Sequence, residues 1–292
     1  MMQIGAQRAD NDNDNNVDPL VARGFGDEWS TFRQDEGHLS AEQRRAIFDD
    51  YFRIFPWQKL PPGGGTGIDV GCGTGRWSML VAPRVAHLHA LDASPDALAV
   101  ARQNLQDAGN VSFHGASVAA IPLPDASLDF AYSLGVLHHV PDTQAAIASI
   151  AGKLKPGAPF LVYLYYALDN RPAWYRALWR LSNFGRLIVS RLPHPLRYVV
   201  SQTVAALVYW PLARLATLLS RLGYSPRALP LSYYADKSFY VMRTDAYDRF
   251  CTRLEQRFTR TEIEAMLKRA GFTDIEFSDR EPFWCAVGIK PI

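Results

Sequence analysis

Ile68-Asp69-Val70-Gly71-Cys72-Gly73-Thr74-Gly75-Arg76-Trp77 is the stretch that decides how this chain folds. A short apolar strand runs into alternating glycines, and a helical apolar pattern (Trp77, Leu80, Val81) follows. Glycines so placed let the backbone turn sharply and bring its N–H groups against a nucleotide-like ligand at the positive end of the next helix. Spacing selects the ligand. A dinucleotide site calls for G-x-G-x-x-G, whereas here the third glycine arrives one position early, at Gly75, so the pattern reads D-x-G-x-G-x-G.

Outward from this turn, Val85 to Leu91 reads as a second strand ending at Asp92. Asp92 follows Asp69 at close to the interval of about 20 residues expected of a ribose-binding carboxylate. Ser94-Pro95 opens a helix, as N-cap and first-turn proline, that runs to Gly109. Val111 to His114 is a third strand and Leu128 to Leu134 a fourth. Asp142 caps a helix with Ala146, Ile147, Ile150 and Leu154 on one face, and Phe160 to Tyr166 is a fifth strand. Near the end, Thr259-x-x-Glu262 forms a capping box for a helix through Ala270-Gly271, followed by strands at Thr273 to Ser278 and Phe283 to Ile289.

The glycine turn, Ser133-Leu134-Gly135-Val136-Leu137-His138-His139-Val140-Pro141-Asp142 and Leu154-Lys155-Pro156-Gly157 together resemble the class I S-adenosylmethionine (SAM) dependent methyltransferases of the type 11-like group. The resemblance covers roughly 60–166 and 258–290. It implies an α/β, Rossmann-like fold: a seven-stranded, mostly parallel sheet with helices on both faces. It implies SAM as cofactor and S-adenosylhomocysteine as product. Asp69, Gly71, Cys72, Gly73, Thr74 and Gly75 would hold the methionine and ribose part, Asp92 and Ala93 the ribose hydroxyls, and Ser133 and Leu134 the end of strand four beside the cofactor. Gly115 to Asp125 resembles a family segment reading roughly G-D-A-x-x-L-P-F-P-D. Ser117 stands where an acid usually binds the adenine amino group; serine can still accept that hydrogen bond, and Val118 can pack on the ring. His138 or His139 is a candidate general base, since imidazole titrates near neutrality, with Tyr166 as a third catalytic candidate. The plainer reading of the histidine pair is packing and loop shape.

At 292 residues and 48% hydrophobic content, the chain can build one large α/β domain plus an extra element. The expected divisions are a disordered tail over 1–19, an N-terminal helical cover over 20–60, the SAM-binding core over 61–166, a helical insertion over 167–258, and a closing helix and strand pair over 259–292. Trp29 joins Tyr165, Tyr233, Tyr234 and Tyr240 as candidates for the substrate pocket, against the alternative that these aromatics are core. Three scattered cysteines form neither a metal spacing nor a disulfide framework, so no metal is expected and a cytoplasmic setting is. The acidic, asparagine-rich start reads as no signal peptide.

Net charge is +2, but its distribution is lopsided: residues 1–50 hold eleven acids against five arginines, and 171–230 hold nine arginines and no acid. In the insertion Trp174, Tyr175, Leu178, Trp179 and Leu181 recur at helical spacing beside Arg176 and Arg180. Tyr198 to Ala213 carries no charge; as sixteen residues with Ser201, Gln202, Thr203 and Pro211 inside, it is expected to be too short and too polar to span a bilayer. Arginines among large apolar residues suit peripheral contact with anionic headgroups at the inner face of a membrane. A lid or a dimer surface is the competing reading, and nucleic acid is not expected, because the apolar residues are too many and too large. The function classes that remain are a SAM-dependent methyltransferase acting on an O or N atom of a small or amphiphilic metabolite, one acting on a membrane lipid or lipid-linked intermediate, and a SAM-binding protein without transferase activity. Oligomeric state is not legible in the residues.

Overall fold

A computed structural model describes residues 16–18, 41–226 and 229–292. Most of the expected tail, Trp29 and Arg227 lie outside those residues. Asn16 is the first of the described residues. It is buried, its side-chain amide donates to the Asp142 carbonyl at 2.8 Å, and its side-chain oxygen accepts from the Asp142 N–H at 2.7 Å.

The described residues form two compact units, one of 16–18, 41–169 and 254–292, the other of 170–253. The first holds α1 (Ala41–Tyr51), β1 (Thr66–Val70), α2 (Ser78–Val81), β2 (His87–Asp92), α3 (Pro95–Asn104), β3 (Val111–Gly115), β4 (Phe130–Leu134), α4 (Thr143–Lys153) and β5 (Pro159–Tyr163). The second holds α5 (Ala173–Val189), α6 (His194–Val204), α7 (Trp210–Arg221) and α8 (Phe239–Cys251). The chain then returns to the first unit with α9 (Arg260–Arg269), β6 (Thr273–Phe277) and β7 (Cys285–Ile289).

The sheet order is β3-β2-β1-β4-β5-β7-β6, parallel throughout except that β7 runs antiparallel to both neighbours. It is an α/β, Rossmann-like sheet, and its strand order reverses beside β1, so the crevice at the carboxyl ends of β1 and β4 is where this architecture binds ligands. Alternation along each strand feeds two cores. Ile68, Val70, Ala131, Phe160 and Val162 pack with Ile147 and Ile150 of α4 and Ile263, Met266 and Leu267 of α9. Phe130, Tyr132, Leu161 and Val287 pack on the other face with Phe48, Phe52 and Phe55 from α1 and the turn after it.

The local signals act as expected. Ser94 accepts from the Ala97 N–H, Asp142 from the Ala145 N–H, and Thr259 with Glu262 closes the capping box. The fifth strand is shorter than expected. It stops at Tyr163, which pairs with Leu134 at the end of β4 and Cys285 at the start of β7; beyond it Tyr166 makes only an isolated parallel bridge, with Phe258. The first helix after the glycine turn is also short, a single α turn closing into a 3-10 turn at Ala82–Arg84 that contains Pro83.

In the second unit α6, a π turn at Ala205–Tyr209 and α7 form one helical run, His194–Arg221. Its 28 residues are long and apolar enough, by length and composition, to cross a membrane, which corrects the expectation of too short a segment. Pro211 does not end the helix. The π turn just before it loosens the hydrogen-bond ladder where the ring would otherwise meet the preceding turn.

Candidate active site

β1 and β2 set up the site by their register, Asp69 opposite Ala90 and Val70 opposite Leu91. The chain leaves β1 at Gly71, whose N–H, with that of Cys72, donates to the Leu91 carbonyl at 2.8 and 3.0 Å. Gly71 has φ +77°, and a Cβ there would stand 2.4 Å from Cγ1 of Val136, so the turn lies too close to the strand-four loop for any side chain. Gly75 likewise has φ +77° and would press a Cβ to 2.8 Å from Leu105, after the end of α3. These glycines are steric necessities.

Asp92 ends β2 facing this turn. One carboxylate oxygen accepts the Gly73 N–H at 2.8 Å and the other the Ser94 N–H at 2.8 Å. Burial pushes its pKa up, and the backbone N–H groups of Ser94, Gly73 and Ala93 work against that rise. A carboxylate has about four lone-pair positions, so these donors fix its orientation without filling its acceptor capacity. A carboxylate so held at a strand end can accept from a ribose hydroxyl.

Asp69 has a different place. It is 2% exposed, and one oxygen accepts both the Ser78 hydroxyl at 2.6 Å and the Tyr132 hydroxyl at 2.9 Å. Burial raises its pKa to about 7, against the pull of those two hydroxyls. Asp69 thus ties β1 to the start of α2 and to β4 from beneath the turn, a positioning role. Ser133 is buried with its hydroxyl on the Val70 carbonyl at 2.8 Å, and Leu134 is buried beside it. Thr74 and Cys72 are buried, and Asn104 of α3 donates to the Thr74 carbonyl at 2.9 Å. Ala93 follows Asp92 directly, between it and the Ser94 cap. Ser117 caps the 3-10 turn Val118–Ala120 by accepting from the Ala119 N–H, and Val118 is buried in the core with Ile121.

The strand-four loop brings the two histidines into different environments. His138 is fully buried; its Nδ1 accepts from the Tyr165 N–H at 3.4 Å and its ring stacks on Tyr165 at 3.8 Å. With Nδ1 accepting, the neutral ring carries its proton on Nε2, a buried atom without a hydrogen-bond partner. Burial drives the His138 pKa well down, with His139 and Arg257 adding to the effect. His139 has the opposite tautomer, its Nδ1–H donating to the Leu254 carbonyl at 2.7 Å.

Around His138 stands an aromatic wall. Tyr51 of α1 meets Trp77 at 5.4 Å and Tyr163 at 5.1 Å between centroids, and Tyr163 meets Tyr165 at 6.0 Å. Tyr166 is not part of it. Its ring lies by Phe283 and Trp284, because neighbouring residues of an extended chain point to opposite sides. Tyr51 and Trp77 are the members a sequence reading passes over, since Tyr51 follows the apolar face of a helix and Trp77 opens one; the signal for them is proximity to the glycine turn. Tyr233, Tyr234 and Tyr240 belong to the second unit. There Tyr234 donates to Asp245 at 2.8 Å, Tyr233 is exposed, and Tyr240 packs against Tyr247 and Cys251.

Residues 68–162 match the family model described as a methyltransferase domain. An uncharacterized methyltransferase of Mycobacterium bovis is 26% identical over 148 residues, covering 50% of this chain and 75% of that protein. The ubiquinone biosynthesis O-methyltransferase of Xanthomonas axonopodis pv. citri is 37% identical over 136 residues, 46% of this chain and 54% of that one. A methyltransferase structure from Bacillus halodurans C-125 superposes with TM-score 0.51 at 13% identity, over 85% of this chain and 100% of that chain, a likeness of fold. Glycine turn, strand order and family match converge on one reading, that residues 68–162 form a methyltransferase domain of the class I, SAM-dependent kind.

Proposed function

We propose that the protein transfers the methyl group of SAM to an O or N atom of a small or amphiphilic acceptor. The observation that carries this is Asp92, its carboxylate fixed by backbone N–H groups at the end of β2, beside a glycine turn too tight for side chains at Gly71 and Gly75. SAM supplies a methyl group on a sulfonium, already activated for in-line displacement. The chain's residues then have to align the acceptor and exclude water. Asp92 holds the ribose hydroxyls, Gly71 to Gly75 admit the methionine end, and Ser117 with Val118 stand at the adenine side. Asp69, Ser78 and Tyr132 keep the turn in place from below.

Tyr51, Trp77, Tyr163 and Tyr165 form an apolar wall suited to the body of an acceptor. His138, neutral and with Nε2 protonated, is a donor that can orient it. Of the two histidines, His139 has the tautomer a general base requires, because the Leu254 carbonyl holds the proton on Nδ1. A base is needed only when the acceptor atom starts protonated. His139→Gln is then expected to lower turnover with a hydroxyl acceptor about a hundredfold while leaving SAM affinity unchanged.

A lipid or lipid-linked acceptor is the second reading, favoured by the large apolar side chains exposed on the second unit. One experiment addresses both. The purified protein is incubated with methyl-labelled SAM and a total cell extract, and the products are partitioned. Label in the aqueous phase supports a soluble acceptor, and label in the organic phase a lipid-like one. Consumption of SAM in neither phase, with SAM binding intact, would support a binding protein without transferase activity.

A further inference from the structure

The second unit is packed inside out. Along α5, Trp174, Leu178, Leu181, Phe184 and Ile188 recur at steps of three and four and are all exposed. The opposite side of that helix is polar and faces inward. Arg186 is buried, donating from Nη1 to the Thr252 carbonyl at 2.8 Å and from Nε to the Asn183 side chain at 2.8 Å, and Ser182 accepts from Arg249 at 3.0 Å. The run from α6 to α7 repeats the arrangement. Ser201, Ala205, Tyr209, Ala213 and Ala216 are buried, the alanines at 205 and 213 with Met242 and Ala246 of α8. Leu196, Val199, Leu207, Trp210, Leu218 and Leu222 are exposed, Leu207 at 72%. A helix in water does the reverse. Exposed large apolar side chains in contiguous rows, on two helices, mark a surface built to be covered.

Charge says by what. Residues 171–230 contain arginines and no acid. Arg176 and Arg180 are exposed beside the α5 stripe, and Arg214 and Arg221 are exposed among the apolar residues of α7. A protein partner or a second copy of this surface would have to bury these guanidinium groups among apolar residues, with no carboxylate of the same surface to meet them. Lipid phosphates can meet them while acyl chains take the tryptophans, leucines and phenylalanine, the arginine stems reaching along the apolar surface to the headgroups. The helices lie along such a surface and do not cross it. Crossing would draw α8 in with its partner helix, and with it Arg243, which bonds Tyr198 at 2.9 Å and also Gln202, together with Asp245 and Asp248.

We infer that α5 and the His194–Arg221 run dock in the plane of an anionic lipid bilayer, apolar stripes among the acyl chains and Arg176, Arg180, Arg214 and Arg221 on the headgroup phosphates. This does not depend on the methyl-transfer reading.

The test is flotation of the full chain with vesicles of phosphatidylcholine and phosphatidylglycerol at 3:1, against phosphatidylcholine alone. The wild type is expected to float with the anionic vesicles and to bind the neutral ones at least tenfold less. Arg176→Gln with Arg180→Gln should lower anionic-vesicle affinity about 25-fold, at roughly fivefold per arginine. Leu181→Glu with Phe184→Glu should abolish flotation while SAM binding by calorimetry stays unchanged. Should that double variant lose SAM binding as well, the wild type alone decides: brominated acyl chains should quench Trp174 and Trp210, read against Trp174→Phe and Trp210→Phe. Absent flotation, absent quenching, resistance to alkaline carbonate extraction (a spanning helix), or a dimer that the Leu181/Phe184 variant dissolves would each overturn the inference. SAM affinity, measured on the same preparations, reports separately on the methyltransferase core.

Discussion

The two units expose opposite kinds of side chain. Around the sheet, Phe48, Phe130, Phe160, Tyr132 and Leu137 are fully buried, and the exposed apolar groups are few. In 170–253 four alanines, two serines and Arg186 are buried beside Tyr209, Met242 and Tyr247, while most of the large apolar side chains of α5 and the His194–Arg221 run face outward. Apart from Ile292, every exposed large hydrophobic among the described residues belongs to that unit. Both units are helix-rich and apolar in composition, so composition cannot account for the contrast. What differs is the solvent each surface suits. The sheet unit is organised to exclude water from a crevice, the helical unit to meet an apolar phase.

The sharpest way to break this comparison is to shorten one large side chain in each unit. Phe160→Ala, fully buried between the sheet and α4, should cost about 3–5 kcal/mol by denaturant titration. Leu207→Ala, at 72% exposure, should change stability by no more than about 0.5 kcal/mol. A large loss at Leu207 in vesicle-free buffer would mean that its face is already covered within the protein.

Next in size is a titration within the sheet unit. Asp69 has a folded pKa of about 7 against an ordinary 3.8. The unfolded chain therefore releases this proton before the folded one does. Below about pH 4 the group contributes no difference, and its contribution to stability falls as pH rises to about 7, by at most about 4 kcal/mol. Both hydroxyls reach a single oxygen, so Asp69→Asn can keep them while removing the charge. The stability of wild type minus that of Asp69→Asn should decline between about pH 4 and 7 in urea titrations. A flat difference would show that the carboxyl ionises there as freely as in the unfolded chain.

Asp92→Ala should weaken SAM binding about a hundredfold by calorimetry, from the loss of two hydrogen bonds to a charged acceptor. Flotation with anionic vesicles should be unaffected, and unchanged SAM affinity would remove the ribose assignment. The smallest effect sharpens the packing of the helical unit. Ala213→Leu inserts bulk where the helical run meets α8 and should cost about 1–3 kcal/mol in thermal unfolding. A neutral result would mean that the buried small residues are incidental to how these helices pack.

Much of the sheet unit was legible because its signals are local. Alternating glycines, a carboxylate at a strand end, Ser94-Pro95, Asp142 and the Thr259–Glu262 box each act within a few residues, through backbone geometry or an unsatisfied helix N–H. Residues whose partners are remote could not be assigned that way. Asp69 becomes a brace because Tyr132, 63 positions on, donates to it. His138 and His139 share a motif yet take opposite tautomers, since one meets the Tyr165 N–H and the other the Leu254 carbonyl. Tyr166 leaves the site because it follows Tyr165 in an extended chain and points to the opposite side, toward Phe283 and Trp284.

The helical unit divides in the same way. The amino acids alone determined that it would be helical, apolar and charged only by arginine, since spacing and composition are properties of the chain. Which stripe faces out was decided by tertiary structure. Arg176 and Arg180 stand four apart on one side of α5 and Arg186, six further on, stands on another; that this other side meets the Thr252 carbonyl and is buried is a fact of the tertiary structure. Periodicity defines that a helix has two faces; the side covered by α8 is settled by packing, where Ala205 and Ala213 allow the helices close approach beside Tyr209 and Met242.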